Sequence, residues 1–247
     1  MSTRPILDTA LATTVTPVLL ACSHGTSSST GRRAIAALVD AVARHAPQLH
    51  VAAAFVDVQQ PDVPTRLASL GTTARIVPLL LSAGYHVHVD LAAAVAARPG
   101  TTLAGTLGPD PRLADLLARR LREAGLRAED AVVLAAAGSS DPAAVADCRR
   151  VGRLLAARLG RTVTTAFLSA AEPRLAETVA QVRARLTAGR GRVVVATYLL
   201  APGYFADLVA GAGADLCTPP LLTATEPPPA ELVEVVLDRY TLTEQPR

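Results

Sequence analysis

Two histidines and one aspartate hold matching places in this chain. His24 in Ser23-His24-Gly25-Thr26 and His86 in Gly84-Tyr85-His86 each follow a run of β-forming apolar residues, and Asp57 closes a third such run, Val51 to Asp57. Two imidazoles and a carboxylate suit a first-row divalent ion held with open positions, because neutral imidazole is a borderline donor that does not trap the ion as thiolates would. The same rings can accept protons near neutral pH. By pattern alone, a histidine at a strand end reads equally well as a hydrogen-bonded structural residue, so the pairing of two carries the argument.

The elements that must position these side chains are legible as an alternation of strands and helices. Continuously apolar runs near 18–23, 50–57, 74–81 and 101–105 predict parallel strands covered on both faces. Between them, Ile35, Leu38, Val39 and Val42 form an apolar stripe on a helix over 31–46, and Leu113, Leu116, Leu117 and Leu121 do so over 110–123. Such alternation implies βαβ units with right-handed crossovers. In a flavodoxin-like order the first and third strands are neighbours about 4.8 Å apart, and ligands bind at the carboxyl ends beside the switch point. His24 and His86 would then face one crevice, with Asp57 beside them.

The scheme then repeats. Residues 17–27 align with 131–140, VAAAFVD at Val51 with VTTAFLS at Val163, and IVPLLLSAGYH at Ile76 with VATYLLAPGYF at Val195. Strands are expected near 131–136, 162–168, 192–199 and 214–218, and a closing helix at 229–240. The predicted architecture is α/β, two similar doubly wound, flavodoxin-like lobes: a flexible leader at 1–16, an N-terminal lobe at 17–124 carrying the His pair, and a C-terminal repeat at 131–247. In that repeat the histidine positions hold Ala137 and Phe205, so one site per chain is implied, with the second lobe either as wall and lid or as a purely structural pseudo-dimer partner.

Composition narrows the function classes. The 247 residues are half apolar but only 3% aromatic, which implies thin, closely spaced layers of Ala, Val and Leu. Net charge is +3, all basic residues are Arg, and they are spread over helices without interleaved aromatics, which does not describe a nucleic-acid surface. Three cysteines, Cys22, Cys148 and Cys217, have no paired spacing, arguing for a reducing compartment and a cytoplasmic setting. Cys22 reads as core. No uncharged apolar stretch reaches the roughly 18 residues that a membrane span needs. The loop Gly25 to Gly31 opens a helix whose free N–H groups favour an anion, with Arg32 or Arg33 as a second contact, although plain capping explains its Ser and Thr equally well. His88, two residues past His86, diverges from it on a helix start, and His45 and His50 flank a turn and face solvent.

Together these residues resemble the sirohydrochlorin chelatases, which insert a divalent metal into a tetrapyrrole without ATP. In that family a first strand ends in His-Gly-Ser, a second near Phe-Leu-Glu before a Glu-Pro turn, and a third reads Pro-Leu-Phe-Leu, then Gly-x-His, then an acidic residue. Here the counterparts are His24-Gly25-Thr26, Phe55-Val56-Asp57 with Gln60-Pro61, and Pro78-Leu79-Leu80-Leu81 with Gly84-Tyr85-His86 and Asp90. The resemblance runs from 17 to about 240. Thr26 keeps a hydroxyl, but Asp57 in place of Glu shortens the carboxylate's reach by one methylene.

What the resemblance implies is a two-lobed lyase of siroheme or cobalamin biosynthesis. His24 and His86 would be catalytic and, with Asp57, would hold Fe2+ or Co2+ as substrate; Gly25, Thr26, Ser27, Gly84 and Tyr85 would contact the macrocycle. A monomer or weak homodimer is expected, with no nucleic acid or membrane partner. Two rivals stay open: a histidine-phosphatase-like phosphohydrolase, whose Arg-His-Gly would need an Arg where Ser23 stands, and a metal or tetrapyrrole carrier without turnover.

Overall fold

A computed structural model describes residues 16–84, 87–186 and 190–242. The expected leader lies outside the described residues except for its last position, as do Tyr85 and His86.

Two four-stranded sheets, each wholly parallel, organise the chain. The first is built from β1 (Val18–Ser23), β2 (Val51–Phe55), β3 (Ala74–Pro78) and β4 (Thr101–Leu103) in the order β2-β1-β3-β4. The second has β5 (Ala131–Ala136), β6 (Val163–Phe167), β7 (Val193–Tyr198) and β8 (Leu216–Cys217) in the corresponding order β6-β5-β7-β8. Both are the doubly wound lobes expected from the strand alternation. The central strands lack a polar face because both faces are covered: all six residues of β1 and all six of β7 are buried.

Period-two alternation sorts β1 between two cores. Leu19 and Ala21 face inward, toward α1 (Ser29–His45), α4 (Pro111–Glu123), α5 (Pro142–Leu159) and α8 (Ala230–Thr241), in one core that draws on both sheets. Val18, Leu20 and Cys22 face outward, beneath α2 (Val63–Leu70) and α3 (Ala92–Ala96). The second sheet repeats this, with Val133 and Ala135 beneath α6 (Leu175–Arg185) and α7 (Tyr204–Ala210).

The last helix of each half is exchanged. α4 packs on α5 and β7 of the second half, and α8 packs on α1 and β3 of the first. Leu113, Leu116, Leu117 and Leu121 of α4 are fully buried in this shared layer. Polar contacts fasten α8 in place: Arg239 donates to the Thr106 carbonyl at 2.7 Å and to Asp110 at 3.2 Å, Arg112 pairs with Asp238 at 2.6 Å, and the Tyr240 hydroxyl donates to the Pro17 carbonyl at 2.6 Å. The two lobes therefore share one body. Among the described residues, no helix is long and apolar enough to cross a membrane.

Candidate functional site

His24 stands where β1 leaves the sheet. The ladder continues past the strand, since the Val56 N–H donates to the Ser23 carbonyl at 2.9 Å and the Asp57 N–H to the His24 carbonyl at 3.0 Å. This pins the His24 backbone while its side chain is exposed. Gly25 then turns the chain with φ +92°, and a Cβ there would collide with the Asp57 carbonyl oxygen, so the position admits only glycine.

The turn after β2 is shaped to meet this loop. Val58 has φ 61°, rare for a β-branched residue, at the centre of a γ-turn closed by the Gln59 N–H on the Asp57 carbonyl at 2.6 Å. One oxygen of the Asp57 carboxylate accepts the Val58 N–H at 2.7 Å, and Asp57 is not among the residues lining the cavity described below. Gln59 takes the inward place instead, its Oε1 accepting the Thr26 N–H at 2.9 Å. Sequence reasoning passed over Gln59; its position just ahead of Gln60-Pro61, in the turn that follows Asp57, was the available signal.

The loop into α1 is largely self-satisfied. Ser28 caps the helix by accepting the Gly31 N–H at 3.2 Å, and Thr26 Oγ1 accepts the Ser28 N–H at 3.1 Å. Arg32, expected as a second contact for an anion, donates instead to the Ser27 carbonyl at 2.8 Å and the Thr26 carbonyl at 3.4 Å, and so braces the loop. His45 and His50 are exposed at the other end of α1, as expected for solvent-facing residues.

These residues open onto a cavity of about 670 Å3 between the lobes. The first lobe contributes Ser23 to Ser27, Val58, Gln59 and the segment after β3, including Gly84; the second contributes Ala136 to Ser140, Cys148 and Tyr198 to Phe205. Gly25, Thr26, Ser27 and Gly84 thus all border the space that holds His24. Tyr85 and His86 fall outside the described residues; a single turn of π-helix, Val87–Leu91, follows them. Among the described residues, no three His, Cys, Asp or Glu side chains cluster as a metal set.

The second lobe reproduces the scaffold without the imidazole. The Ser169 N–H donates to the Ala137 carbonyl at 2.9 Å just as Asp57 does to His24, Gly138 has φ +93°, and Ala170 repeats the positive φ of Val58. Burial pushes the Cys148 thiol up to about 11 and Cys22 up to about 12, so neither offers a thiolate near neutral pH. A smaller cavity of about 280 Å3 at the amino-terminal ends of β5 and β6 holds Asp130 and Arg161. Both are engaged there, Asp130 with Arg192 at 2.7 Å and Arg161 with the Asp130 carbonyl at 3.0 Å.

The CbiX family model matches residues 18–124 and again 131–210. SirB from Bacillus subtilis with Fe3+ superposes with TM-score 0.77 at 20% identity, over 92% of this chain and 95% of that one. The sirohydrochlorin chelatase SirB from Bacillus subtilis subspecies spizizenii in complex with cobalt gives 0.69 at 18%, over 92% and 94%. CbiX, described as the terminal enzyme for biosynthesis of siroheme in denitrifying bacteria, gives 0.61 at 20%, over 89% and 98%. No curated protein matches. With the family model matched in both halves, the chain belongs to the CbiX family, that of the sirohydrochlorin chelatases, in its two-lobed form.

Proposed function

We propose that this protein inserts a divalent metal ion, iron by preference and cobalt as an alternative, into sirohydrochlorin or a closely related tetrapyrrole, with release of two protons and without ATP. The observation that carries this reading is the exposed His24 imidazole at the carboxyl end of β1, on a cavity walled by both lobes, in a chain of the CbiX family. The ring occupies the inter-lobe cavity. His24 and His86 deliver the ion and receive the protons that leave two pyrrole nitrogens as two metal–nitrogen bonds form, so charge and atoms balance.

The remaining residues hold the ring. Gly25, Thr26, Ser27, Gly84 and Tyr85 contact the macrocycle, and Gln59 fixes the Thr26 backbone. Asp57, expected from sequence as a third ligand, stabilises the Val58 turn; bringing the bonded oxygen to a metal requires it to release that N–H. Imidazole donors accept iron and cobalt alike, and the related SirB structures contain Fe3+ and cobalt, which supports both as substrates. Exchange of α4 and α8 within one chain supports a monomer, and three free cysteines support a cytoplasmic setting.

An anaerobic assay tests this: purified protein, sirohydrochlorin, and Fe2+, Co2+ or Ni2+ in turn, followed by absorbance. Multiple turnovers with iron or cobalt are expected. Metal insertion that stops after one equivalent would make the protein a carrier, and none with any metal would end the reading.

A further inference from the structure

Exposed apolar side chains that share one surface mark a binding site, and half of the large ones described here line a single cavity. Among the described residues six large apolar side chains are exposed: Val58, Val89, Tyr204, Phe205, Leu208 and Leu242. Three of them, Val58, Tyr204 and Phe205, line the cavity that holds His24, and Leu208 lies one helical turn beyond Tyr204. The chain has only three Phe and four Tyr, yet Tyr204 is 72% exposed and Phe205 37%. The other described aromatics, Phe55, Phe167, Tyr198 and Tyr240, are buried or half-buried.

The backbone presents this pair deliberately. Gly203, packed beside Thr26 and Ser28 of the first lobe, starts α7 at the cavity mouth, and the Tyr204 and Phe205 rings lie 5.7 Å apart at 54°. Val58 is held out by its γ-turn, at the positive φ that the second lobe gives to the smaller Ala170. Phe205 also occupies, in the repeat, the place that His86 has in the first half. The first half has an imidazole there; the second has an apolar ring.

We propose that Tyr204 and Phe205, with Val58, form an apolar rim that takes the face of the tetrapyrrole, so that the second lobe adds aromatic contacts to the ring contacts of the first. This rests on the function proposed above and deepens it. A flat conjugated macrocycle has apolar faces that gain from aromatic contact. A bare metal ion or a phosphate ester makes no use of exposed rings, and the rim is continuous with the cavity rather than set apart from it.

The test uses Tyr204→Ala, Phe205→Ala and the double variant in the full chain, with metal-free sirohydrochlorin titrated anaerobically by fluorescence and Co2+ titrated separately. The Kd for the ring is expected to rise about tenfold per substitution, with the Co2+ Kd and melting temperature unchanged, KM raised and kcat kept. Phe205→Trp should restore ring binding. An unchanged ring Kd overturns the proposal, and so does a shift from dimer to monomer in sedimentation with that Kd unchanged, which would make the rim a self-association surface. Weakened ring binding in the variants of a protein that inserts no metal would leave the rim standing and the insertion reading fallen. Insertion with unaltered KM in the variants would do the reverse.

Discussion

The hydroxyl of Tyr198, in the second lobe, donates to the main-chain carbonyl of Leu81, in the first, at 3.0 Å. It joins β7 to the segment that runs from β3 toward Gly84, across the cavity they both line. Burial raises the Tyr198 phenol well above its ordinary range, so it remains a donor throughout the working pH. Tyr198→Phe removes one bond without changing the packing. The expected loss is about 1 kcal/mol in urea denaturation, with weakened ring binding because the cavity walls are no longer tied.

Gly25 and Gly138 are equivalent in geometry but not in chemistry. Each has φ above +90°, and in each a Cβ would meet a carbonyl oxygen, Asp57 in one lobe and Ser169 in the other. Replacing either by Ala should therefore destabilise the fold by on the order of 2–3 kcal/mol. Only Gly25→Ala also displaces the neighbouring imidazole, so it should lose more insertion activity than Gly138→Ala when the two are compared at equal folded fraction.

Gln59 supplies the acceptor for the Thr26 N–H. Gln59→Ala should weaken loop order by about 1 kcal/mol and raise KM, while Gln59→Glu, which keeps an oxygen acceptor, should retain most of the affinity. Steady-state kinetics on the two variants separate the bond from side-chain bulk.

These predictions draw on parts of the molecule that were unequally visible in the sequence. β1, β5 and β7 were legible because strands buried on both faces read as unbroken apolar runs, and the end of β1 gave His24 its place. β3 stops at Pro78 rather than near 81, because proline has no N–H for the ladder; beyond it the Leu79 N–H still reaches the Cys22 carbonyl. The exchange of α4 and α8 was invisible, since an amphipathic stripe tells which face of a helix is apolar and not which sheet it meets. The Val58 turn was hidden too: a β-branched residue gives no signal for positive φ, and nothing in the sequence shows that one oxygen of Asp57, expected there as a ligand, accepts the Val58 N–H.

Acid should act on the fold through Asp130. The hydrogen bond from Arg192 holds its carboxyl down at about 2, against 3.8 unperturbed. A folded-state value below the unfolded one means that the contribution is whole above about 4 and is lost as pH falls toward 2. Denaturation midpoints should drop across that window, and Asp130→Asn should show a lower midpoint at pH 6 with a flatter fall below pH 4.

The central claim is that imidazole chemistry from the first lobe alone drives insertion. The most direct measurement is the anaerobic initial rate with saturating sirohydrochlorin and Co2+ for His24→Ala and for Ala137→Ser, at the matching position of the second lobe, with melting curves alongside. The account predicts a loss of about a hundredfold or more for His24→Ala and an unchanged rate for Ala137→Ser, with both folded as the parent is. A His24→Ala protein that melts normally and inserts cobalt at the parent rate would contradict it.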